Sequence, residues 1–220
     1  MSAAPLAPIG IFGGTFDPIH YGHLRPALEL REQLGLGEVR FIPASVPPHR
    51  GEPVATAQQR LAMLRLALQD VDGMAIDERE LRRDGPSYMA DTLRSLRVEV
   101  GARPLVLLLG LDAFLGLPLW HEWHSIIELA HIAVATRPGW ERAQLGRNDA
   151  LAQLWRMHGC DDHTGLNQVS GGRIVMTEVT PLAISATHIR TQVQLGRSPR
   201  FLLPDAVLDY IERNRLYTSH

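Results

Sequence analysis

The chain is 220 residues long, 45% hydrophobic and 21% charged, with a formal net charge of −2. That supplies one sizeable core and too little positive charge for a general nucleic-acid surface. Cys160 is the single cysteine, which rules out an intrachain disulfide and fits a reducing compartment. Met1–Pro8 lacks the basic and apolar regions of a signal peptide and is expected to be a flexible tail. The most apolar window, Leu105 to Trp120, contains Asp112 and Pro118 and is too short to span a bilayer. These features lead us to expect a cytoplasmic protein with neither a membrane nor a nucleic-acid partner.

Ile9 to Phe12 reads as a buried strand that breaks at Gly13-Gly14, where a residue without Cβ lets another group approach the backbone. Asp17-Pro18 is turn chemistry, and Leu24 to Leu34 reads as a helix. Strand, glycine turn and helix start present backbone N–H groups to an anion. His20 and His23, three residues apart, project to one side if they lie on the first turn. There they can donate hydrogen bonds to phosphate oxygens.

Glu38 to Pro43 is a second strand. It is followed by a loop in which Pro47-Pro48 stiffens the chain beside His49-Arg50, a basic pair suited to a phosphate or to a plain surface. A helix runs from Thr56 to about Leu68, and Met74 to Asp77 is a short strand. Glu78 to Asp84 reads as a solvated charged loop. Gly85-Pro86-Ser87-Tyr88 opens the next helix, with Ser87 as its expected cap.

Pro104 to Gly110 is an aliphatic run of the kind a strand covered on both faces requires. Asp112 follows at its carboxyl end, placed either to accept ribose hydroxyls or to cap a short helix. Leu119 to His124 holds two tryptophans and two histidines, either packing or an aromatic wall for a planar ring. His131 to Thr136 is a fifth strand, with Arg137 at its carboxyl end.

Residues 140–172 read as a variable excursion with one helix near Asn148 to His158. His158, Cys160, Asp162 and His163 fit no standard zinc spacing. Arg173 to Val179 is the last strand. Ser185 is an N-cap candidate, with Ser185, Thr187 and the helix-start amides facing an anion and Arg190 one turn on. Asp205 to Arg213 closes the chain as a helix with Val207, Leu208 and Ile211 on one face. The alternation predicts an α/β, Rossmann-like fold, a parallel sheet with helices on both faces, in a single domain spanning 1–220.

Gly13-Gly14-Thr15-Phe16-Asp17-Pro18-Ile19-His20-Tyr21-Gly22-His23 resembles the His-x-Gly-His signature of the nucleotidyltransferase superfamily. Ile184-Ser185-Ala186-Thr187-His188-Ile189-Arg190 resembles the Ile-Ser-x-Thr-x-x-Arg motif of adenylyltransferases. With Pro47-Pro48-His49-Arg50, Gly85-Pro86-Ser87-Tyr88, Gly110-Leu111-Asp112 and Trp120-His121-x-Trp123 in the same order, the chain resembles the bacterial nicotinate-nucleotide adenylyltransferases from Ile9 to about Tyr217.

The resemblance implies adenylyl transfer from ATP to nicotinate mononucleotide, with release of pyrophosphate. It implies that His20, His23 and Arg190 act on the phosphates. Gly13, Gly14, Thr15, Phe16, Arg137, Ser185 and Thr187 would bind ATP. Asp17, His49, Arg50, Ser87, Tyr88, Asp112, Trp120 and His121 would bind the acceptor. Mg²⁺ would be held mainly by phosphate oxygens, with no protein metal ligands, and a homo-oligomer is compatible.

Met89 and His121 stand where many members have Thr and Tyr. The rivals are a related adenylyltransferase with another acceptor (nicotinamide mononucleotide or phosphopantetheine), a class I aminoacyl-tRNA synthetase, and a non-catalytic nucleotide-binding module. The synthetase lacks support, since no Lys-Met-Ser-Lys-Ser loop appears and 220 residues are expected to leave no room for an anticodon-binding domain.

Overall fold

The computed structural model describes residues 6–47, 51–140, 145 and 149–218. Its strands are β1 (Ile9–Gly14), β2 (Glu38–Pro43), β3 (Met74–Ile76), β4 (Leu105–Gly110), β5 (His131–Thr136), β6 (Gly159–Cys160) and β7 (Ile174–Glu178). They form one seven-stranded sheet in the order β3-β2-β1-β4-β5-β7-β6. The helices are α1 (Tyr21–Gln33), α2 (Ala57–Leu68), α3 (Met89–Val100), α4 (Leu111–Leu115), α5 (Trp123–Leu129), α6 (Asp149–His158), α7 (Ala186–Gln194) and α8 (Asp205–Arg213).

The pairings β1–β4, β4–β5, β5–β7 and β6–β7 are parallel. Leu107 lies between Ile11 and Ile132, and Leu105 to Leu109 are all buried. This is the both-face burial that the aliphatic run of β4 anticipates, and each fully buried Leu contributes about 1.5–3 kcal/mol. No helix among the described residues is long and apolar enough to cross a membrane.

The chain forms two compact units. In the first (Met1–Phe12, Ala27–Arg40, Tyr88–Pro181), α3 packs on α5. From α3, Arg97 donates to the carbonyls of Leu129, Gly101, Arg103 and Ser170 at 2.7, 2.9, 2.6 and 2.6 Å. His131 is fully buried and fully used: Nε2–H donates to the Val169 carbonyl at 2.9 Å, and Nδ1 accepts the Arg173 amide at 3.1 Å. Burial holds its pKa below the usual histidine range. It is a core histidine. Glu29 on α1 accepts the Thr180 amide and hydroxyl, each at 2.6 Å, fixing the segment that follows β7.

In the second unit (Gly13–Pro26, Phe41–Ser87, Leu182–His220), α2 packs on α8. A complete capping box starts α2: Thr56 Oγ1 accepts the Gln59 amide, and Gln59 accepts the Thr56 amide.

Several boundaries differ from the sequence expectation. The helix expected from Leu24 begins at Tyr21, so His23 lies inside its first turn and His20 just before it. Pro26 falls within this helix and removes the bond that would reach the Gly22 carbonyl. Tyr88, not Ser87, is the N-cap residue of α3, and it makes no side-chain cap. The Ser87 hydroxyl instead accepts the Ser45 and Val46 amides at 2.9 and 3.3 Å. Glu80, within the loop expected to be solvated, is buried. The two-residue strand β6 at the sheet edge is too short to carry a periodic signal.

Candidate active site

Gly13 and Gly14 end β1 rather than break it, and the turn that follows is built against aromatic and basic side chains of its own unit. Phe16 takes a left-handed conformation with φ 51°. A Cβ on Gly14 would come within 2.7 Å of the Phe16 ring, so Gly14 leaves the room that this ring fills. The ring meets His23 edge-on at 5.3 Å and Phe41 at 5.8 Å. Arg60 on α2, only 1% exposed, donates to the Thr15 carbonyl at 2.7 Å and to the Ser45 carbonyl at 3.3 Å. It thereby braces the loop from below.

His20 and His23 are brought together as the spacing implies. Their rings stack at 3.7 Å with an interplanar angle of 26°. His20 is buried, and its Nδ1 has no hydrogen-bond partner. Burial alone lowers its pKa from 6.5 to about 4, so the ring is neutral at neutral pH. A buried polar nitrogen left open is costly.

The backbone amides of this helix start are mostly committed. Tyr21 N–H donates to the Leu202 carbonyl at 3.0 Å, and His23 and Leu24 N–H donate to the His20 carbonyl at 2.8 and 3.1 Å. At α1, therefore, the side chains rather than a row of amides are presented.

The second motif lies against the first. A Cβ on Gly22 would come within 2.9 Å of His20 Nδ1 and 3.0 Å of the Ile184 carbonyl. Only glycine lets His20 and the lead-in to α7 close on each other. Ser185 caps α7, its hydroxyl accepting the His188 amide at 3.2 Å, as expected. Ser185 and Thr187 are exposed at the helix start. Arg190 donates through Nη1 to the Asp17 carbonyl at 2.7 Å and through Nη2 to Thr187 Oγ1 at 3.3 Å.

Asp17 differs from its expected role as an acceptor ligand. It is buried, and protein donors take its carboxylate: Val54 N–H on Oδ2 at 2.8 Å, Ala55 N–H on Oδ1 at 3.2 Å, and the Tyr217 hydroxyl on Oδ1 at 2.6 Å. Ser87 is likewise engaged by backbone donors. Both are placed to hold the site's framework.

Within the first unit, Asp112 and Arg137 stand just past the carboxyl ends of strands. Exposed Asp112 is in the first turn of α4, directly after β4. Exposed Arg137 directly follows β5, which pairs with β4. Tyr88 stacks on His121 at 4.2 Å with an angle of 27°. Trp120 ends the 3-10 turn Leu117–Leu119 and is half-buried. His49 and Arg50 lie outside the described residues.

No group of three or more His, Cys, Asp or Glu side chains gathers for a metal ion among the described residues. His158 Nδ1–H donates to the Gly172 carbonyl at 2.9 Å, and Cys160 Sγ donates to the Ile174 carbonyl at 3.4 Å.

Sequence reasoning passed over Arg60 and noted Tyr217 only as the end of a resemblance. One signal was available for Arg60, a cation inside the apolar face of α2. None was available for Tyr217.

Comparison with known proteins shows the family and the fold. Residues 11–192 match the cytidylyltransferase-like family. A protein of Methylococcus capsulatus named as a probable nicotinate-nucleotide adenylyltransferase is 53% identical over 212 residues, 96% of this chain and 100% of that one. Its namesake in Aeromonas salmonicida is 47% identical over 213 residues, 97% and 98% of the two chains. The nicotinic acid mononucleotide adenylyltransferase of Plasmodium falciparum, solved with NaAD, superposes with a TM-score of 0.72 at 14% identity, covering 96% and 97%. This last likeness is one of fold, the Rossmann-like nucleotidyltransferase fold.

Proposed function

The chain belongs to the nicotinate-nucleotide adenylyltransferase family, and on that premise we propose that it transfers the adenylyl group of Mg-ATP to nicotinate mononucleotide. The products are deamido-NAD and pyrophosphate, and the setting is cytoplasmic NAD biosynthesis. A phosphate oxygen of the acceptor attacks the α-phosphorus of ATP in line. One phosphorus–oxygen bond forms, and the bond to the bridging oxygen breaks as pyrophosphate leaves. The attacking phosphate is already anionic, so no protein nucleophile is required. Catalysis consists of positioning and charge stabilisation.

The observation that carries this reading is the stacked His20–His23 pair, with His20 held by Gly22 against the start of the Ile184–Arg190 motif. Neutral His20, and His23 beside it, donate to phosphate oxygens, and Gly13, Gly14, Thr15 and Phe16 form the floor. Ser185, Thr187 and Arg190 hold the triphosphate. Arg190 has two N–H groups fixed by Asp17 and Thr187 and others left to offer. Magnesium enters as part of Mg-ATP, coordinated by phosphate oxygens.

Toward the acceptor, Asp112 accepts ribose hydroxyls, Trp120 stacks on the pyridine, and Tyr88 and His121 border it; toward ATP, Arg137 lies at the adenine. His49 and Arg50 meet the acceptor phosphate. Asp17 and Ser87 act through the loops they fix rather than by touching substrate.

The test is pyrophosphate release from Mg-ATP with and without nicotinate mononucleotide. The reading requires release that depends on the acceptor and forms deamido-NAD. ATP binding without release, with this acceptor, contradicts it.

A further inference from the structure

We propose that Tyr217 is a positioning residue for the phosphate site, acting through Asp17 on Arg190; the inference rests on Arg190 holding the triphosphate, as above. Tyr217 lies beyond α8, in a tight turn in which Arg215 and Tyr217 have φ of 50° and 63°. The Arg215 and Leu216 amides return to the carbonyls of Glu212 and Ile211 at 3.1 and 3.0 Å. This turn carries a large aromatic side chain inward, where Tyr217 is 5% exposed.

Its hydroxyl meets Asp17 Oδ1 at 2.6 Å, 200 residues away in sequence. Asp17 in turn offers its backbone carbonyl to Arg190 Nη1 at 2.7 Å, and its Oδ2 stands 4.0 Å from the same nitrogen. Tyr217 therefore fixes the residue that fixes Arg190.

The charges around this hydroxyl support the assignment. Asp17, Arg60 and Arg190 all act on the Tyr217 phenol, whose pKa is pushed up by burial and by the Asp17 carboxylate. It stays protonated and remains a donor. One carboxylate set against two guanidiniums leaves this group of residues with an excess positive charge, complementary to an anion. Without the Tyr217 donor, Asp17 Oδ1 would keep only the 3.2 Å bond from Ala55. With the Val54 amide still on Oδ2, the carboxylate would then close its 4.0 Å separation from Arg190 Nη1 into a tight ion pair. That would draw the guanidinium away from the nucleotide and cancel charge meant for it.

Tyr217→Phe removes the hydroxyl and keeps the ring. Assayed well below its own unfolding midpoint, it should raise the KM for ATP by about tenfold, because a displaced charged donor forfeits much of its contact. The KM for nicotinate mononucleotide should change less than about twofold. A Tyr217 that only supports the fold would lower the unfolding midpoint and leave the KM for ATP unchanged; that result overturns the proposal.

Binding of a non-hydrolysable ATP analogue to Arg190→Ala and to Arg190→Ala/Tyr217→Phe gives the second readout. If Tyr217 acts through Arg190, the second substitution adds no further loss. Additive losses would overturn the proposed route. If Arg190→Ala itself binds the analogue like the parent, the reading of the phosphate site fails. If Arg190→Ala weakens binding and Tyr217→Phe does not, only the Tyr217 proposal fails.

Discussion

Gly22 lies directly against His20: a Cβ at position 22 would sit 2.9 Å from His20 Nδ1 and 3.0 Å from the Ile184 carbonyl. The glycine between the paired histidines is thus required by space. In an exposed helix interior, Gly→Ala stabilises by roughly 0.5–1 kcal/mol. Here the sign reverses. Gly22→Ala should destabilise by about 1–3 kcal/mol, the usual cost of overpacking, and lower kcat by at least about 10²-fold as His20 is displaced. Urea unfolding and steady-state turnover measure the two effects. Unchanged turnover would show that His20 can move without loss.

His20 predicts a pH signature in stability. Its pKa is about 4 in the folded chain, against 6.5 for the unperturbed group. Above 6.5 the ring is neutral in both states. As pH falls from 6.5 toward 4 the unfolded chain binds the proton first, so folding stability declines across that window by about 3 kcal/mol. In His20→Asn this component should be absent. Unfolding at pH 7 and pH 4.5, compared between the two proteins, checks it; parallel losses would refute it.

The same neutral ring changes when phosphate arrives. An anion beside His20 favours its charged form and raises its pKa. ATP-analogue binding at pH 5.5 should therefore take up protons, seen as a dependence of calorimetric enthalpy on buffer ionisation, and at pH 8 the dependence should vanish. His20→Ala should lose the uptake and about 10²–10³ in kcat, the scale of losing one donor to developing charge. A folded His20→Ala with wild-type turnover would reject the assignment.

Arg60 is predicted to be structural, with a cost beyond its packing. It supplies donors to the Thr15 and Ser45 carbonyls and acts electrostatically on Asp17. Arg60→Met keeps the stem but strands both carbonyls, and we expect a loss of about 3–5 kcal/mol, the range for breaking a buried charge network. A midpoint shift worth less than about 1 kcal/mol would mean that the loop holds its own shape.

What the sequence made legible follows from range. The Ile9–Phe12 and Leu105–Leu109 runs declare themselves because their signal is local and periodic, whereas the expected break at Gly13-Gly14 did not occur, since β1 runs on through both glycines. The histidine pair was legible for the same reason, since three residues across a helix start bring the two rings together. Ser185 read correctly as a cap because its acceptor role is satisfied three residues away. Ser87 did not, because its hydroxyl is claimed by amides more than 40 residues earlier. Asp17 read as a ligand because its three donors come from Val54, Ala55 and Tyr217, contacts that no local pattern encodes. Arg60 was hidden within an apolar helix face, where its guanidinium reaches past the core to two loop carbonyls.

The most direct test of the central claim is pyrophosphate release from Mg-ATP with nicotinate mononucleotide and with nicotinamide mononucleotide, measured side by side as kcat/KM. The account predicts a preference for the acid of about 10²-fold or more, roughly 2.7 kcal/mol of transition-state discrimination, despite Met89 and His121. Comparable rates with both nucleotides, or a preference for the amide, would contradict it.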